Sequence, residues 1–390
     1  MNEHSLSEAA VFKALEKLLS RDAQYSSDGI LCSMCSEPLD AAKKAYSLAL
    51  EKNLGDESLF PGTAQIEREA VSMLGILFSH AEAKGHIISG GTEANITALW
   101  VARSLDKKGR REILLPESAH FSFETAANLL ELKLVKIPLT SNFTVDTSKM
   151  RKKISGNTLA IIGVAGSTGL GTVDPITELS DIALEHDVYL HIDAAFGGFV
   201  LPFLQDLGFY KGVFDFKAPG VKSITVDPHK MGLCPLPAGG ILFRDQSLLL
   251  SAISRSVLYI GQGRTTFTTI TGTRPGAPAV AVWAALKRLG RSGYRQIVKQ
   301  CIENTSMLVG DLRQIDGVHL LAEPTMNIVG FTCPGLDNSI VVDALAKKGW
   351  ALSLFPTHIR VVVMPHTEAK YLKAFSADLK TVLAQLKERA

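Results

Sequence analysis

Between residues 62 and 240 the chain alternates short runs of β-branched and aliphatic residues with longer segments whose apolar residues recur at helical spacing. Such an alternation is typical of a mainly parallel sheet covered by helices on both faces. The sequence therefore predicts an α/β fold, with strands at residues 86–89, 113–115, 133–138, 158–164, 188–192, 223–226 and 240–243 and helices at 65–83, 92–105, 121–130 and 176–186. Ligands in such sheets bind at the carboxyl ends of the strands, so functional residues are expected there.

Two further regions flank this unit and complete three predicted domains. Residues 1–60 predict an N-terminal helical arm that would bury little by itself and is expected to pack on another surface, with helices at 7–19 and 39–51. Residues 61–275 form the expected large domain, and the Gly- and Thr-rich residues 261–276 are its expected linker to the next one. Residues 276–390 predict a smaller α+β domain, with helices at 279–289 and 294–315, strands at 327–332 and 359–363, and two more helices.

Composition narrows the class of partner. The chain has 390 residues, a formal net charge of +2 and no Lys/Arg run, so no nucleic-acid partner is expected. No apolar stretch approaches the length that spans a bilayer, and the first residues lack the apolar core of a secretory signal, so we expect a cytoplasmic protein with no membrane partner. The five cysteines fit reduced thiols, and Cys32-x-x-Cys35 lacks a second pair of ligands, so no metal site is predicted.

Two segments that follow predicted strands could supply an anion site and a flat ring. Gly90-Gly91-Thr92 opens a helix, so free backbone N–H groups and the positive helix end would meet at one point. His120 follows the next strand and could stack its ring on a planar ligand. Each also has a simpler interpretation when taken singly: a helix cap after a tight turn, and a loop histidine hydrogen-bonded to its neighbours.

Two other strand ends could supply a carboxylate and an amine. Asp193 follows an apolar strand where an unpaired acid is costly, so we expect it either to face a protonated pyridine nitrogen or to cap a helix. Lys230 follows a β-branched strand and lies between His229 and a glycine-containing turn. With a pKa lowered by burial or by a neighbouring charge, Lys230 could form a Schiff base; the alternative is a lysine that points to water.

The four segments are weak signals singly and a strong one together. They occur in one α/β unit, each at or just after the end of a strand. Together they offer a phosphate cradle, a ring face, a partner for a ring nitrogen and an amine for an aldehyde. Those are the contacts that pyridoxal 5′-phosphate (PLP) requires, so PLP is the predicted cofactor.

The same motifs carry a resemblance to a known family over nearly the whole chain. Residues 53–63 (NLGDESLFPGT), 88–95 (ISGGTEAN), 227–232 (DPHKMG) and 359–366 (IRVVVMPH) are similar to segments of the PLP-dependent group II amino-acid decarboxylases, in particular the archaeal L-tyrosine/L-aspartate decarboxylases. The resemblance implies the aspartate-aminotransferase type of fold, with a mainly parallel seven-stranded sheet. It also implies conversion of L-tyrosine to tyramine, of L-aspartate to β-alanine, or both, in methanofuran or coenzyme A biosynthesis.

The resemblance further implies a role for each residue at the strand ends. Lys230 would bind the cofactor covalently, His120 would stack on its ring, Asp193 would pair with the ring nitrogen, and Gly91 and Thr92 would bind its phosphate.

By the same resemblance, Thr168 would lie near the phenolic oxygen, Ala195 beneath the ring, and His229 against the phosphate or the linkage to the lysine. Thr273, in the loop 272–274, would reach the phosphate bound by a neighbouring subunit. An obligate homodimer with shared active sites is therefore implied.

Substrate recognition is expected to involve three residues outside this set. Arg360 could capture a substrate carboxylate with its planar fork, although a solvated arginine at the end of a strand is the alternative. Phe60 and Met34 are expected to line the side-chain pocket and to favour an aromatic substrate. The proton donor to the substrate Cα stays open between His229, Lys230 and a loop tyrosine.

Two other functions stay open at this point. Residues 272–276 also resemble sphingosine-phosphate lyase, a PLP-dependent carbon–carbon lyase, and Phe196 stands where the decarboxylases often have Tyr or Trp. The second alternative is a nucleotide-binding module with Gly90-Gly91 as its phosphate loop, but the chain lacks the further glycine and the Gly-Lys-Ser/Thr of such loops there.

Overall fold

The structure is a computed structural model that describes residues 4–25, 29–258 and 265–389. Its helices are α1 Glu8–Leu19, α2 Asp40–Leu48, α3 Pro61–Leu77, α4 Gly91–Leu105, α5 Ser122–Leu130, α6 Thr147–Lys153, α7 Ile176–Glu185, α8 Leu201–Asp206, α9 Gln246–Ile253, α10 Ala277–Arg313, α11 Asn338–Ala346 and α12 Ala369–Arg389. Its strands are β1 Lys84–Ile88, β2 Glu112–Pro116, β3 Lys133–Ile137, β4 Thr158–Val164, β5 Tyr189–Asp193, β6 Val221–Val226, β7 Gly239–Phe243, β8 Arg255–Val257, β9 Thr265–Phe267, β10 His319–Leu320, β11 Ile328–Thr332, β12 Ser353–Leu354 and β13 Ile359–Val362.

The large sheet has seven strands in the order β1-β7-β6-β5-β4-β2-β3. Strands β2 to β6 pair in parallel, and β7 runs antiparallel to both β1 and β6. Every residue of β4 and β5 is buried, which explains their nearly continuous apolar sequence. The predicted α/β fold with a mainly parallel seven-stranded sheet is confirmed.

The second sheet is small and antiparallel, with the strand order β10-β11-β13-β12. It shares a core with α11, α12 and the second half of α10. The arm joins it: Leu31 donates to the carbonyl of Ala351 and accepts from the N–H of Val362, at 2.9 and 2.8 Å. The predicted division into three domains at residues 60 and 275 stays a prediction.

Several elements differ from those predicted. The two helices expected at 279–289 and 294–315 form one run, α10, interrupted only at Gly290, whose φ of 56° is non-helical. The short elements α6, α8, α9, β8, β9, β10 and β12 were not predicted, because few turns or residue pairs leave little periodicity to detect. Part of the expected linker, residues 261–264, lies outside the described residues.

Two surface features complete the description. None of the residues of α1 is buried, and its apolar side chains, such as Phe12 and Leu19, are largely exposed. Within the described ranges, no helix combines the length and the apolar character that crossing a membrane requires.

Candidate active site

One cavity of about 330 Å³ lies where β4, β5 and β6 end and α4 begins. Eight of the predicted site residues line it: Gly91, Thr92, His120, Thr168, Asp193, Ala195, His229 and Lys230. The parallel strands bring their carboxyl ends to one edge of the sheet, so residues as much as 139 positions apart in the chain meet there. The other four, Met34, Phe60, Thr273 and Arg360, are not among the residues that line it.

The beginning of α4 forms one wall of the cavity. No side chain caps this helix end among the described residues, so its first N–H groups are available to an anion. Gly91 is needed because a Cβ there would lie 3.0 Å from Oδ2 of Asp227 and 3.3 Å from the side chain of Ala195. The small residue lets the helix end approach the cavity closely, as a phosphate cradle requires.

Lys230 lies in the turn after β6, with its side chain directed into the cavity and not into open solvent. Its Nζ is 3.0 Å from Oδ2 of Asp227, and its side chain is 19% exposed. Burial opposes the charge of the lysine, but the carboxylates of Asp227 and Asp193 outweigh it and raise its pKa. The condition of a lowered pKa, under which Lys230 could form a Schiff base, is therefore not met, because Asp227, three residues earlier, stabilises the ammonium.

Asp193 ends β5 at the floor of the cavity and is 6% exposed. Its Oδ1 accepts from the backbone N–H of Ala195 and its Oδ2 from Nδ2 of Asn95, both at 3.0 Å. The short 3₁₀ helix that follows begins at Gly197, and its N-cap, Phe196, has no side-chain capping bond. The alternative interpretation of Asp193 as a helix cap is therefore wrong.

Two histidines flank the lysine and the carboxylate. Nδ1 of His120 accepts from the N–H of Ser122 at 3.3 Å, which fixes the ring at the cavity wall. Nδ1 of His229 is 2.6 Å from the carbonyl oxygen of Ala238, so that nitrogen donates and Nε2 is left to face the cavity side, 3.7 Å from Asp227. Burial lowers the pKa of both histidines, which favours neutral rings.

Arg360 lies one layer behind the cavity wall, on β13. It is 6% exposed, and its guanidinium donates to the carbonyl oxygens of Thr168 and Cys32 and to Oγ of Ser353, each at 2.7 Å. Burial lowers its pKa to about 10. The alternative of a solvated arginine at a strand end is therefore wrong, because this side chain is enclosed and hydrogen-bonded to the loop that carries Thr168.

A second cavity of about 350 Å³ adjoins the first, since His120 and Thr168 line both. Its other walls are mainly apolar and include Phe121, Phe143 and Phe355. A ligand at the first cavity could therefore extend an apolar group past His120 and Thr168.

The donor set of the first cavity fits PLP. A buried carboxylate, an amine, a flat imidazole and an uncapped helix end surround one space, and they match the ring nitrogen, the aldehyde, the ring face and the phosphate of that cofactor. The carboxylate oxygen Oδ1 of Asp227 is buried without a partner among the described residues. It could therefore accept a hydrogen bond from a ligand in this cavity.

Comparison with known proteins decides the family. The pyridoxal-dependent decarboxylase conserved domain matches residues 44–333. The chain belongs to this family. It is a PLP-dependent amino-acid decarboxylase, and neither the carbon–carbon lyase nor the nucleotide-binding alternative is favoured.

Individual relatives extend the match to nearly the full length. An L-aspartate decarboxylase of Thermococcus kodakarensis is 45% identical over 384 residues, 98% of this chain and 99% of that protein. A probable L-tyrosine/L-aspartate decarboxylase of Methanothermobacter thermautotrophicus is 46% identical over 360 residues, 92% of this chain and 98% of that protein. Among solved structures, a sphingosine-1-phosphate lyase of Burkholderia pseudomallei superposes with a TM-score of 0.91 at 28% identity, covering 100% of this chain and 94% of that one.

Three predicted residues of this decarboxylase lie away from the cavity. Phe60 is the N-cap of α3, with Nζ of Lys52 5.7 Å from its ring centre, and Met34 packs against the core of the large domain. Thr273 is exposed, in a loop whose neighbour Arg274 turns inward to pair with Glu67 at 2.6 Å. Within one chain, none of the three lines the cavity.

The structure also adds two residues to which the sequence assigned no role. Asn95 lies one turn after Gly91 on α4 and binds Asp193, and Asp227 binds Lys230 across a turn. Helical spacing from the phosphate cradle could have indicated Asn95, and the i, i+3 spacing to the lysine could have indicated Asp227.

Proposed function

We propose that this decarboxylase converts L-aspartate to β-alanine and accepts L-tyrosine, giving tyramine, as a second substrate. The observation that carries the catalytic part is the single cavity that gathers Lys230, Asp193, His120 and the start of α4. The substrates come from the relatives: L-aspartate appears in the names of both curated proteins above, and L-tyrosine in one. The products would enter coenzyme A or methanofuran biosynthesis.

The proposed roles of the cavity residues follow their positions. Lys230 would bind the cofactor through its amine, which first gives up a proton that Asp227, 3.0 Å away, is placed to accept. Asp193 would keep the ring nitrogen protonated, His120 would cover the ring, and the N–H groups of Gly91 and Thr92 would bind the phosphate. When bound, PLP supplies a ring that accepts the electrons left by the departing carboxylate.

The supporting contacts of the ring would come from the same wall. Ala195 would lie beneath it, Thr168 near its phenolic oxygen and His229 near the phosphate or the linkage to Lys230, since all three line the cavity. His229 and Lys230 both line the cavity and could return a proton to the substrate Cα. A loop tyrosine stays an alternative donor.

Arg360 is the proposed anchor of a substrate carboxylate. Its three hydrogen bonds go to neutral oxygens, and it forms no ion pair with any described residue. Its Nε is buried without a partner among those residues. A buried guanidinium without a counterion is costly, so a substrate carboxylate that reaches it past Thr168 would be bound strongly.

We also propose a homodimer with shared active sites, in the cytoplasm. The N–H of Leu54 donates to the carbonyl of Arg274 at 2.8 Å, so the segment that carries Phe60 and the loop that carries Thr273 form one surface. That surface exposes Leu59, and α1 exposes a further apolar face. A partner subunit that covered both surfaces would place its own cavity next to Thr273 and Phe60 of this chain. The cytoplasmic location is supported by five cysteines that are all unpaired.

A substrate panel tests the function. Purified enzyme supplied with PLP is mixed with each of the twenty amino acids, and release of carbon dioxide is measured together with the amine product. We expect the highest kcat/KM for L-aspartate and a lower value for L-tyrosine. Release from neither, with turnover of another amino acid, would refute the proposed substrates; no carbon dioxide from any amino acid would refute the reaction. Light scattering on the same sample tests the dimer.

A further inference from the structure

A row of polar side chains lies behind Asp193, between the sheet and α4. Tyr189, His191 and Asp193 alternate along β5, so they point to the same face of the strand. Ser223 and Thr225 occupy the paired positions of β6, opposite His191 and Asp193. All five are buried or nearly so, and only Asp193 has a proposed contact with the cofactor.

Asn95, on α4, connects this row to the carboxylate. Its Nδ2 donates to Oδ2 of Asp193 at 3.0 Å and to Oγ of Ser122 at 2.9 Å. Its Oδ1 accepts from Oγ1 of Thr225 at 2.8 Å and lies 2.9 Å from Nε2 of His191. The polar atoms of the Asn95 side chain are therefore all paired, in a residue that is 1% exposed.

These contacts fix the tautomer of His191. Because Asn95 must turn its NH₂ group toward the anionic Asp193, its oxygen faces His191, and Nε2 of the ring must carry a proton. Burial lowers the pKa of His191 to about 4, so the ring is neutral near pH 7 and Nδ1 carries no proton.

With Nδ1 of His191 unprotonated, the hydroxyls of Ser223 and Tyr189 can donate in only one direction, toward His191. Nδ1 of His191, 2.8 Å from Oγ of Ser223, accepts from that hydroxyl, which accepts in turn from the hydroxyl of Tyr189 at 2.9 Å. The hydrogen bonds run from Tyr189 through Ser223, His191 and Asn95, and each donor points toward Asp193. Aligned buried hydrogen bonds of this kind strengthen one another in a medium of low polarity.

We propose that His191 is a positioning residue that acts through Asn95 to hold the carboxylate of Asp193 in the orientation and charge that keep the PLP ring nitrogen protonated. The proposal rests on the proposed pairing of Asp193 with that nitrogen. An Asn95 amide rotated by 180° would set its oxygen against the carboxylate. The N–H of His191 opposes this rotation, because it would then face the NH₂ group.

The test uses holoenzyme loaded with PLP labelled with nitrogen-15 in its ring, because the chemical shift of that nitrogen reports its protonation. We expect His191→Leu to move the resonance toward that of an unprotonated pyridine. It should lower kcat roughly tenfold to a hundredfold, as for other groups that act through a hydrogen-bonded neighbour, with little change in KM. His191→Gln keeps an N–H donor and should recover most of the resonance position and of kcat.

Two further variants serve as controls. His80 also hydrogen-bonds a carbonyl, that of Arg244 at 2.8 Å, but lies outside the row, so His80→Leu should leave resonance and kcat unchanged. Tyr189→Phe removes only the outermost donor of the chain and should cause a smaller shift in the same direction. If His191→Leu does not fold, Tyr189→Phe tests the role of His191 in its place. An unchanged nitrogen resonance in Tyr189→Phe would then overturn the proposal.

In a folded His191→Leu enzyme, a resonance and kcat like those of the wild type would overturn the proposal, as would equal losses in the Leu and Gln variants. Asp193→Asn distinguishes failure of the proposed pairing of Asp193 with the ring nitrogen from failure of the proposed role of His191. If it leaves the nitrogen protonated, the pairing of Asp193 fails. If it shifts the resonance while His191→Leu does not, only the role of His191 fails.

Discussion

The two ends of the cavity are built differently. At the end proposed to hold the ring nitrogen, called the nitrogen end below, Asp193 is held by donors from α4 and from the loop after β5, and the polar groups behind it are paired within the chain. At the end of Thr168, called the mouth below, the cavity wall is a loop that Arg360 of the small sheet holds from one layer behind, and Nε of Arg360 has no partner among the described residues. The residues proposed to bind the cofactor therefore lie mainly along one sheet and the helix that follows its first strand, whereas the arginine proposed to bind substrate comes from the second sheet.

The largest effect is expected at the amine between the two ends. Lys230→Ala should lower kcat on the order of 10⁴-fold or more, because no other lysine lines the cavity in the described structure. Steady-state decarboxylation measures the loss, and circular dichroism and light scattering should show an unchanged fold and assembly. Lys217→Ala, at an exposed lysine, is the control and should keep full activity. Substantial turnover by Lys230→Ala would move the cofactor linkage to another residue.

A substitution at the nitrogen end should lower turnover and leave substrate binding nearly unchanged. Asp193→Asn keeps a hydrogen-bonding group of the same shape but loses the charge, so kcat should fall about 10²- to 10³-fold while KM and the affinity for PLP change little. Kinetics and a PLP titration measure the two effects. A near-normal kcat would remove the distinction between the two ends.

A second buried carboxylate sharpens the comparison through stability. Asp174 follows the loop that carries Thr168 and accepts only backbone bonds, from the N–H groups of Val145 and Val164 at 2.8 Å. Burial raises its pKa from 3.8 to about 6. Because the folded pKa is the higher one, its contribution to stability is complete below pH 3.8 and is lost as the pH rises through 6.

The difference in unfolding free energy between the wild type and Asp174→Asn should therefore depend on pH. It should change by about 2 kcal/mol between pH 7.5 and pH 4, in favour of the wild type at the lower pH. Urea unfolding of both proteins across this range measures it. A difference that stays constant with pH would mean that Asp174 is charged in the fold at no cost.

A substitution at the mouth should weaken substrate binding. Arg360→Met would remove the proposed partner of the substrate carboxylate. A hydrogen bond to a charged group is worth about 1.5–3 kcal/mol, so KM should rise roughly tenfold to a hundredfold for every amino-acid substrate. Arg313→Met, at an exposed arginine paired with Glu323, provides the matched control. An unchanged KM in Arg360→Met would leave this arginine with a structural role, as the clamp on the loop of Thr168.

The smallest effect is expected at the surface that a partner subunit would complete. Phe60→Ala should lower kcat/KM for L-tyrosine by up to about tenfold and leave L-aspartate nearly unaffected, because an aromatic contact is worth about 0.5–1.5 kcal/mol. Phe209→Ala, at an exposed phenylalanine, is the control. Equal losses for both substrates would remove the argument for an aromatic pocket at this position.

The sequence predicted the nitrogen end far better than the mouth, for a physical reason. Buried parallel strands are apolar throughout, so β4 could be predicted with its observed bounds, and the residues that end each strand could be placed at one edge. The role of Asn95 required knowing which face of α4 packs over β5, and the charge of Lys230 depended on a turn that brings Asp227 to 3.0 Å.

The mouth was harder because its parts meet only in three dimensions. Arg360 and Thr168 are 192 positions apart and touch through a carbonyl oxygen, which no side-chain pattern records. The burial of Arg360 could not be inferred from its position near the end of a short strand. Phe60 and Met34 do not line the cavity of their own chain, and contacts between subunits leave no periodic signal along one sequence.

Chemical labelling of the lysine tests the central claim most directly. Purified holoenzyme is treated with borohydride, which fixes PLP irreversibly on the amine that holds it, and the digested protein is mapped by mass spectrometry. We predict loss of the visible absorbance and a single labelled peptide that carries the cofactor on Lys230. A label on any other lysine, or no label on an enzyme that still decarboxylates amino acids, would contradict the account.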